Sequence, residues 1–388
     1  MELVQSRRHW AKFLKASGYQ LVRCVGQGSF GDVYSVSCLE TGQAWAVKRL
    51  VARRNIKEDN HAMAEIEALV SIKHPTIIGL KEILLYPRVA CIVMELAPAG
   101  NLEVLVLNGW GSLEFSPAQK TLSDITSKKL NACGLCYRQQ HLTSSCCGEK
   151  QSGFENNCID GESIYIKPFV ENQRKCEEES ITFRNYEGGE SFHALTLTHT
   201  SSIAVPPSPS PSISAHPCID PSFLFLAFAQ VTSALEFCHN LGLAHRDVNP
   251  SNVLVFHHDL VKLADFGLCF RCNNVTLTES ADAELLCSDF LGRDQYLAPE
   301  VRRRKPFYAK PADVWSLGCV LFFMLKANHP PLDDNELVKT VTKRVSSLVP
   351  EGYDINLKEK CVRTLGKACQ VEVSTRPTIR DIQVLWET

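Results

Sequence analysis

The sequence has no surplus of positive or negative residues, since 41 Lys and Arg stand against 43 Asp and Glu for a formal net charge of -2. No global field therefore draws the chain to nucleic acid or to an anionic membrane, and neither is expected as a partner. Short basic runs such as Arg302-Arg303-Arg304-Lys305 read as solvated surface. No stretch reads as long and apolar enough to span a bilayer. Residues 1–18 carry Arg7, Arg8, Lys12 and Lys15 where a secretory signal would have an uninterrupted apolar core. The expected location is cytoplasmic or nuclear. The cysteines number 17, and an odd count excludes a fully paired disulfide framework.

What is present is enough for a large core: 45% of the 388 residues are apolar, sufficient for one two-lobed domain or for two or three small ones. From Tyr19 to Lys48 short apolar runs alternate with turn signals and read as strands. A helix is expected around 60–71, then strands over 77–85 and 89–96. Residues 108–220 break this regularity with Ser, Thr, Cys and Asn and end in Val205-Pro206-Pro207-Ser208-Pro209-Ser210-Pro211-Ser212, so a disordered insertion is expected there. Helical periodicity returns over 223–240, and further helices are expected over 311–325, 337–348 and 379–386. The pattern is α+β in two lobes, strand-rich then helix-rich, with a cleft between them.

Gly26-Gln27-Gly28-Ser29-Phe30-Gly31-Asp32-Val33 is a glycine-rich turn between strands. Glycine lets the backbone approach a phosphate closely, although a tight hairpin would use the same residues. A dinucleotide site would need a helix next, and a strand follows instead. Lys48 ends the next strand after Ala46 and Val47, and Glu65 on the following helix is placed to pair with it. Further on, His245-Arg246-Asp247-Val248-Asn249-Pro250-Ser251-Asn252 precedes Asp265-Phe266-Gly267 by one hairpin. A carboxylate beside a nucleophilic hydroxyl can accept its proton, while a second carboxylate and an amide oxygen can hold Mg2+ on phosphates.

In this order, these motifs resemble the eukaryotic protein kinase superfamily, over roughly residues 19–107 and 221–386. The resemblance implies a two-lobed kinase fold that transfers the γ-phosphoryl of ATP, with Mg2+, to Ser or Thr hydroxyls of a protein substrate. It implies an N-terminal extension over 1–18, an N-lobe, hinge and start of the C-lobe over 19–107, and a C-lobe over 221–388. By it Val25, Gly26, Gln27, Gly28, Ser29, Phe30, Gly31 and Val33 cover the nucleotide. Ala46 and Met94 border adenine, Glu95 to Ala97 form the hinge, and Asn101 lies at the lip of the substrate site. Lys48 holds the phosphates and pairs with Glu65, Asp247 is the base, and Asn252 and Asp265 are metal ligands. Ala298-Pro299-Glu300 closes the activation segment with Arg376 as the partner of Glu300, and Asp313 braces the catalytic loop.

Several positions depart from the family pattern. Asn249 stands where Ser/Thr kinases carry lysine, and a neutral donor replaces a full positive charge. Arg293 replaces the usual threonine of the activation segment and is expected either to reach Asp247 as the missing cation or to face solvent. The alternative that these changes leave open is a pseudokinase acting as a nucleotide-binding scaffold. Asp289 falls where the activating phosphosite is expected, so its carboxylate would partly imitate a phosphate beside Arg246. Ser288, Thr276 and Thr278 are the other candidate phosphosites. Asn101 offers no charge to a basic peptide. In the insertion, Cys133 and Cys136 have zinc-knuckle spacing that Cys146, Cys147 or Cys158 would complete, against a reading as free thiols. Partner binding is the other role open to that segment.

Overall fold

A computed structural model describes residues 7–28, 31–51, 60–85, 89–108, 182–185, 219–272, 285–343, 349–350 and 352–388. Ser29, Phe30, Thr276, Thr278 and the cysteines from Cys133 to Cys218 lie outside them.

The N-terminal part is a sheet of Tyr19–Gly28 (β1), Gly31–Cys38 (β2), Ala44–Val51 (β3), Leu80–Leu85 (β4), Val89–Glu95 (β5) and Thr182–Asn185 (β6), in the order β1-β2-β3-β5-β4-β6. The first five strands pair antiparallel. Strand β5 is buried along nearly its whole length, as a strand covered on both faces should be. One cover is a helix that the sequence reading placed outside the lobe as an extension. Arg7–Ala16 (α1) buries Trp10 and Leu14, one turn apart, against Val36, Val47, Cys91 and Val93. Gly18 follows it at φ 89, a left-handed turn that glycine enters without cost, and the chain returns as β1.

The segment expected to be disordered also contributes order. Strand β6, inside 108–220, runs parallel to β4 from Glu82↔Thr182 to Leu85↔Asn185. Without β6 that edge of β4 would leave backbone groups unpaired, and threonine and phenylalanine are residue types that favour strands.

Asn60–Ser71 (α2) has the expected bounds. The strand expected over 77–85 begins at Leu80, because Ile77 bridges instead to Leu263. The C-terminal part is helical. Pro221–Asn240 (α4) starts at a capped turn, where Asp220 Oδ1 accepts from Phe223 N at 2.9 Å and Pro221 occupies the first turn. Contrary to the expectation that no stretch is long and apolar enough, this 20-residue helix with mean hydropathy 1.3 could cross a membrane by length and composition. Its apolar side chains are instead used within the fold: Phe228 and Phe225 pack on Trp386 with ring centroids 4.3 and 5.6 Å away. Ala309–Lys326 (α6) is buried on every side and forms the centre of the lobe, as a helix apolar all round must.

The helix expected over 337–348 begins earlier, at Asp334, and is described to Lys343 (α7). Ile355–Ala368 (α8) was missed, although Asp354 caps it and Leu357, Cys361, Thr364, Leu365 and Ala368 repeat on one face. Leu102–Asn108 (α3), Pro299–Arg302 (α5) and Ile379–Glu387 (α9) complete the helices used below.

Candidate active site

Strands β1 and β2 meet at Gly28↔Gly31, the base of the glycine-rich turn. Gly31 has φ 136, and a Cβ there would overlap the Arg49 carbonyl. Only glycine fits that close approach of β2 to β3. A register shift between Cys24 and Gly26 leaves Val25 out of the ladder, and Gln27 pairs with Asp32. Lys48 lies between Val33 and Ile92 in the ladder, and Ala46 pairs with Met94. Ala46 and Met94 are thus neighbours, both buried, at the edge where the chain leaves β5. Beyond them, Glu95 spends its carboxylate on Gly79 N at 2.8 Å and Lys262 Nζ at 2.7 Å. Ala97 O receives Gly100 N at 3.4 Å. Asn101 Oδ1 caps α3 through Val104 N at 2.9 Å, so this oxygen is committed to the helix end.

Three charges meet behind the glycine turn. Lys48 Nζ lies 2.7 Å from Glu65 Oε1 and 2.8 Å from Asp265 Oδ1. Burial works against the ammonium, but Glu65 and then Asp265 outweigh it and hold Lys48 above the ordinary lysine value. Burial likewise pushes the Glu65 carboxyl up, to about 7, against the pull of Lys48. Asp265 is only partly buried, and although that burial works against its charge, Lys48 and the Gly267 N–H hold it below the usual carboxylate range. Its φ of 65 turns the chain sharply after the strand Leu260–Leu263.

The catalytic loop is held from below by Asp313 on α6. Its carboxylate accepts from His245 N and Arg246 N, both at 2.7 Å, and lies 2.8 Å from His239 Nε2. Buried backbone N–H groups need such partners, and here they fix Arg246 at φ 67. His245 Nδ1 accepts from Asp247 N at 3.2 Å, which leaves Nε2–H to donate to Ala264 O at 3.1 Å. The Asp247 carboxylate is then clamped by two amides: Asn252 Nδ2 donates to Oδ2 at 2.8 Å and Asn249 Nδ2 to Oδ1 at 3.0 Å. Asn249 Oδ1 in turn accepts from Ser251 N at 3.0 Å.

Among the described residues Arg293 bonds Glu103 and not Asp247, the carboxylate it was expected to reach, although its positive charge is still felt there. Its Nη2 lies 2.7 Å from Glu103 Oε1 on α3, and its guanidinium covers the Tyr296 ring at 5.6 Å. It is not simply in solvent either, with the side chain 32% exposed. The sequence reading overlooked Glu103, His329 and His239, whose relevance rests on contacts distant in the chain. Asp289 does reach Arg246: Nη2 donates to Asp289 O at 3.0 Å, and the carboxylate lies 3.6 Å from Nη1. Ser288 beside it is exposed. Arg376 closes a bidentate pair with Glu300 at 2.6 and 3.1 Å.

The donor set fits a hard divalent cation. Among the described residues, Asn252 Oδ1 and Asp265 Oδ2 make no hydrogen bond, so an amide and a carboxylate oxygen remain for Mg2+.

A family model described as protein tyrosine and serine/threonine kinase matches residues 19–385. CBL-interacting protein kinase 28 of Oryza sativa subsp. japonica is 36% identical over 134 residues, 34% of this chain and 29% of that protein. CBL-interacting serine/threonine-protein kinase 18 of Arabidopsis thaliana is 35% identical over 157 residues, 40% of this chain and 28% of its own length. Testis-specific serine/threonine-protein kinase 2 of Mus musculus is 32% identical over 155 residues, 40% of this chain and 42% of its own. The matched part spans less than half the length of each relative. The family model nevertheless runs through both lobes, the catalytic loop included, and the chain belongs to the protein tyrosine and serine/threonine kinase family.

Proposed function

We propose that this chain transfers the γ-phosphoryl group of ATP to a Ser or Thr hydroxyl of a protein substrate. The observation that carries the reading is the closed set Lys48–Glu65–Asp265, in which Lys48 is held charged between two carboxylates. Bound ATP and Mg2+ would supply the transferable group and neutralise its oxygens. Lys48 would hold phosphate oxygens, and Asp265 with Asn252 would hold the metal. The Asp247 carboxylate, fixed by Asn249 and Asn252, accepts the proton of the incoming hydroxyl. Positioning and charge account for most of such a reaction, so neutral amides around Asp247 are compatible with turnover at a reduced rate. The Ser/Thr assignment draws on the names of the relatives.

Autophosphorylation and phosphorylation of a general protein substrate with Mg-ATP provide the test. Wild type is expected to incorporate phosphate, and Asp265→Ala to lose incorporation by roughly a thousandfold while remaining folded. Nucleotide binding by wild type without any transfer would overturn the catalytic reading in favour of a scaffold.

A further inference from the structure

Between the activation segment, α3 and the chain just beyond α6 lies a cluster of side chains that catalysis leaves unused. Glu103 Oε1 is shared by Arg293 Nη2 at 2.7 Å and His329 Nε2 at 3.1 Å. Tyr296 Oη lies 2.8 Å from His329 Nδ1, and Phe323 stacks on the imidazole at 4.9 Å. These contacts settle the tautomer. The Tyr296 hydroxyl donates to Nδ1, and Nε2–H donates to Glu103. Burial, then the Arg293 charge, holds His329 below the usual histidine range, so near neutral pH it is an uncharged donor. Arg293 Nη2 and His329 Nε2, 3.4 Å apart, are both donors and do not bond to each other.

The cluster flanks the place where an acceptor hydroxyl must sit. Gly292 presses on the catalytic loop: a Cβ there would lie 3.1 Å from Arg246 O and 3.8 Å from Asp247 Oδ1. Arg293 is the next residue, and its guanidinium bonds Glu103 rather than Asp247. The Arg293 side chain is 32% exposed, and Nε and Nη1 make no hydrogen bond among the described residues. A free edge of a guanidinium matches a carboxylate or phosphate in its plane. A basic side chain arriving at the same place would meet the Arg293 charge and find the Glu103 carboxylate already paired. At the lip, Asn101 contributes no charge and has its oxygen on the end of α3.

We propose that Arg293 is a specificity-determining residue that receives an anionic side chain, carboxylate or phosphate, next to the acceptor residue of the substrate. Glu103 is its internal counter-charge, which holds the guanidinium in position while no substrate is bound. The inference rests on the kinase reading of the site and names the substrate class of that same site.

The test uses the full chain and serine peptides that differ only in one residue near the acceptor: Asp, phosphoserine, Ala or Lys. Turnover with Mg-ATP gives kcat/KM. Fluorescence anisotropy with matching peptides, alanine replacing the acceptor, gives Kd without any transfer. The anionic peptides are expected to lead the lysine peptide by roughly three- to tenfold in both measurements, the scale of one partly exposed charge pair. Arg293→Ala should abolish this preference and, by uncovering Glu103, turn it toward lysine. Glu103→Gln should keep the preference for anions or raise it. Nucleotide-dependent thermal shift verifies that each variant is folded. Preference for phosphoserine over Asp would identify phosphate as the group received, and equal preference a carboxylate. Wild type indifferent to peptide charge, or an anion preference that survives Arg293→Ala, would overturn the proposal. Anion preference in binding with no phosphoryl transfer would leave it standing and reject the catalytic reading alone.

Discussion

Asp247 is held by amides on both carboxylate oxygens, and the Asn249 amide is itself committed to Ser251. A hydrogen bond to a charged group is worth about 1.5–3 kcal/mol, so Asn249→Ala should lower kcat by roughly tenfold or more. The KM for ATP should stay unchanged, because the Asn249 side chain bonds Asp247 and Ser251 and none of the residues assigned to the nucleotide. Steady-state kinetics with varied ATP separates the two parameters, and a rise in KM alone would show that the clamp acts on nucleotide. The Glu300–Arg376 pair works at the same scale but on stability. Arg376 is fully buried in its side chain and Glu300 is 11% exposed. Glu300→Gln leaves a guanidinium without its charge partner, at a cost of about 3–5 kcal/mol, visible as a lowered denaturation midpoint in urea. The short motifs around Lys48, Asp247 and Asp265 were legible in the sequence because phosphate, metal and proton chemistry each demand a particular side chain. The clamp by Asn249 was legible only as a departure, since spacing does not say which oxygen an amide will face.

Helix α1 belongs to the catalytic unit through an aromatic contact. Trp10 packs 5.4 Å from Tyr34, Arg49 covers the Trp10 ring at 5.2 Å, and Arg49 Nη2 pairs with Asp32 at 2.8 Å. Asp32 follows Gly31, so the helix is tied to the return strand of the glycine turn. Trp10→Ala removes a nearly fully buried indole, and about 3–5 kcal/mol of stability with it. It should also raise the KM for ATP more than it lowers kcat. A loss of stability with an unchanged KM would confine the helix to a packing role. The loop after α2 makes a second tie, to the C-terminal part. His74 Nδ1 accepts from Thr76 Oγ1 at 2.9 Å, and its ring lies 4.9 Å from Phe237 on α4. Burial pulls His74 down from 6.5 to about 4. The fold therefore favours the neutral ring: this contribution is complete above pH 6.5 and is lost as pH falls through about 4. Thermal midpoints measured down that range should fall, and His74→Gln should flatten that part of the profile. An unaltered profile would place the acid sensitivity elsewhere. Helix α2 was readable from periodicity, and α8 had readable signals that went unused. The role of α1 was not legible, because its few apolar residues among many charges acquire meaning only on the sheet that receives them.

In the molecule as a whole, Asp289 and Arg246 tie the activation segment to the catalytic loop. Asp289 is 63% exposed and carries a single charge, so the tie is weaker than a phosphate would make it. Phosphatase-treated protein is expected to retain measurable phosphoryl transfer, and Asp289→Ala to lose several-fold of it. Complete loss of turnover on phosphatase treatment would show that a phosphate elsewhere is required. By itself, the sequence determined the glycine turn, the paired lysine and glutamate and the two-lobed order, and it named Asp247, Asn252 and Asp265 as candidates for base and metal ligands. Each follows from local chemistry or from periodicity that survives in one dimension. Only the tertiary structure decided that Arg293 pairs with Glu103, that α1 completes the sheet's cover, and that residues 182–185 extend its edge. A charge or an apolar face has many possible partners along a chain, and folding alone chooses which one lies within a few ångströms.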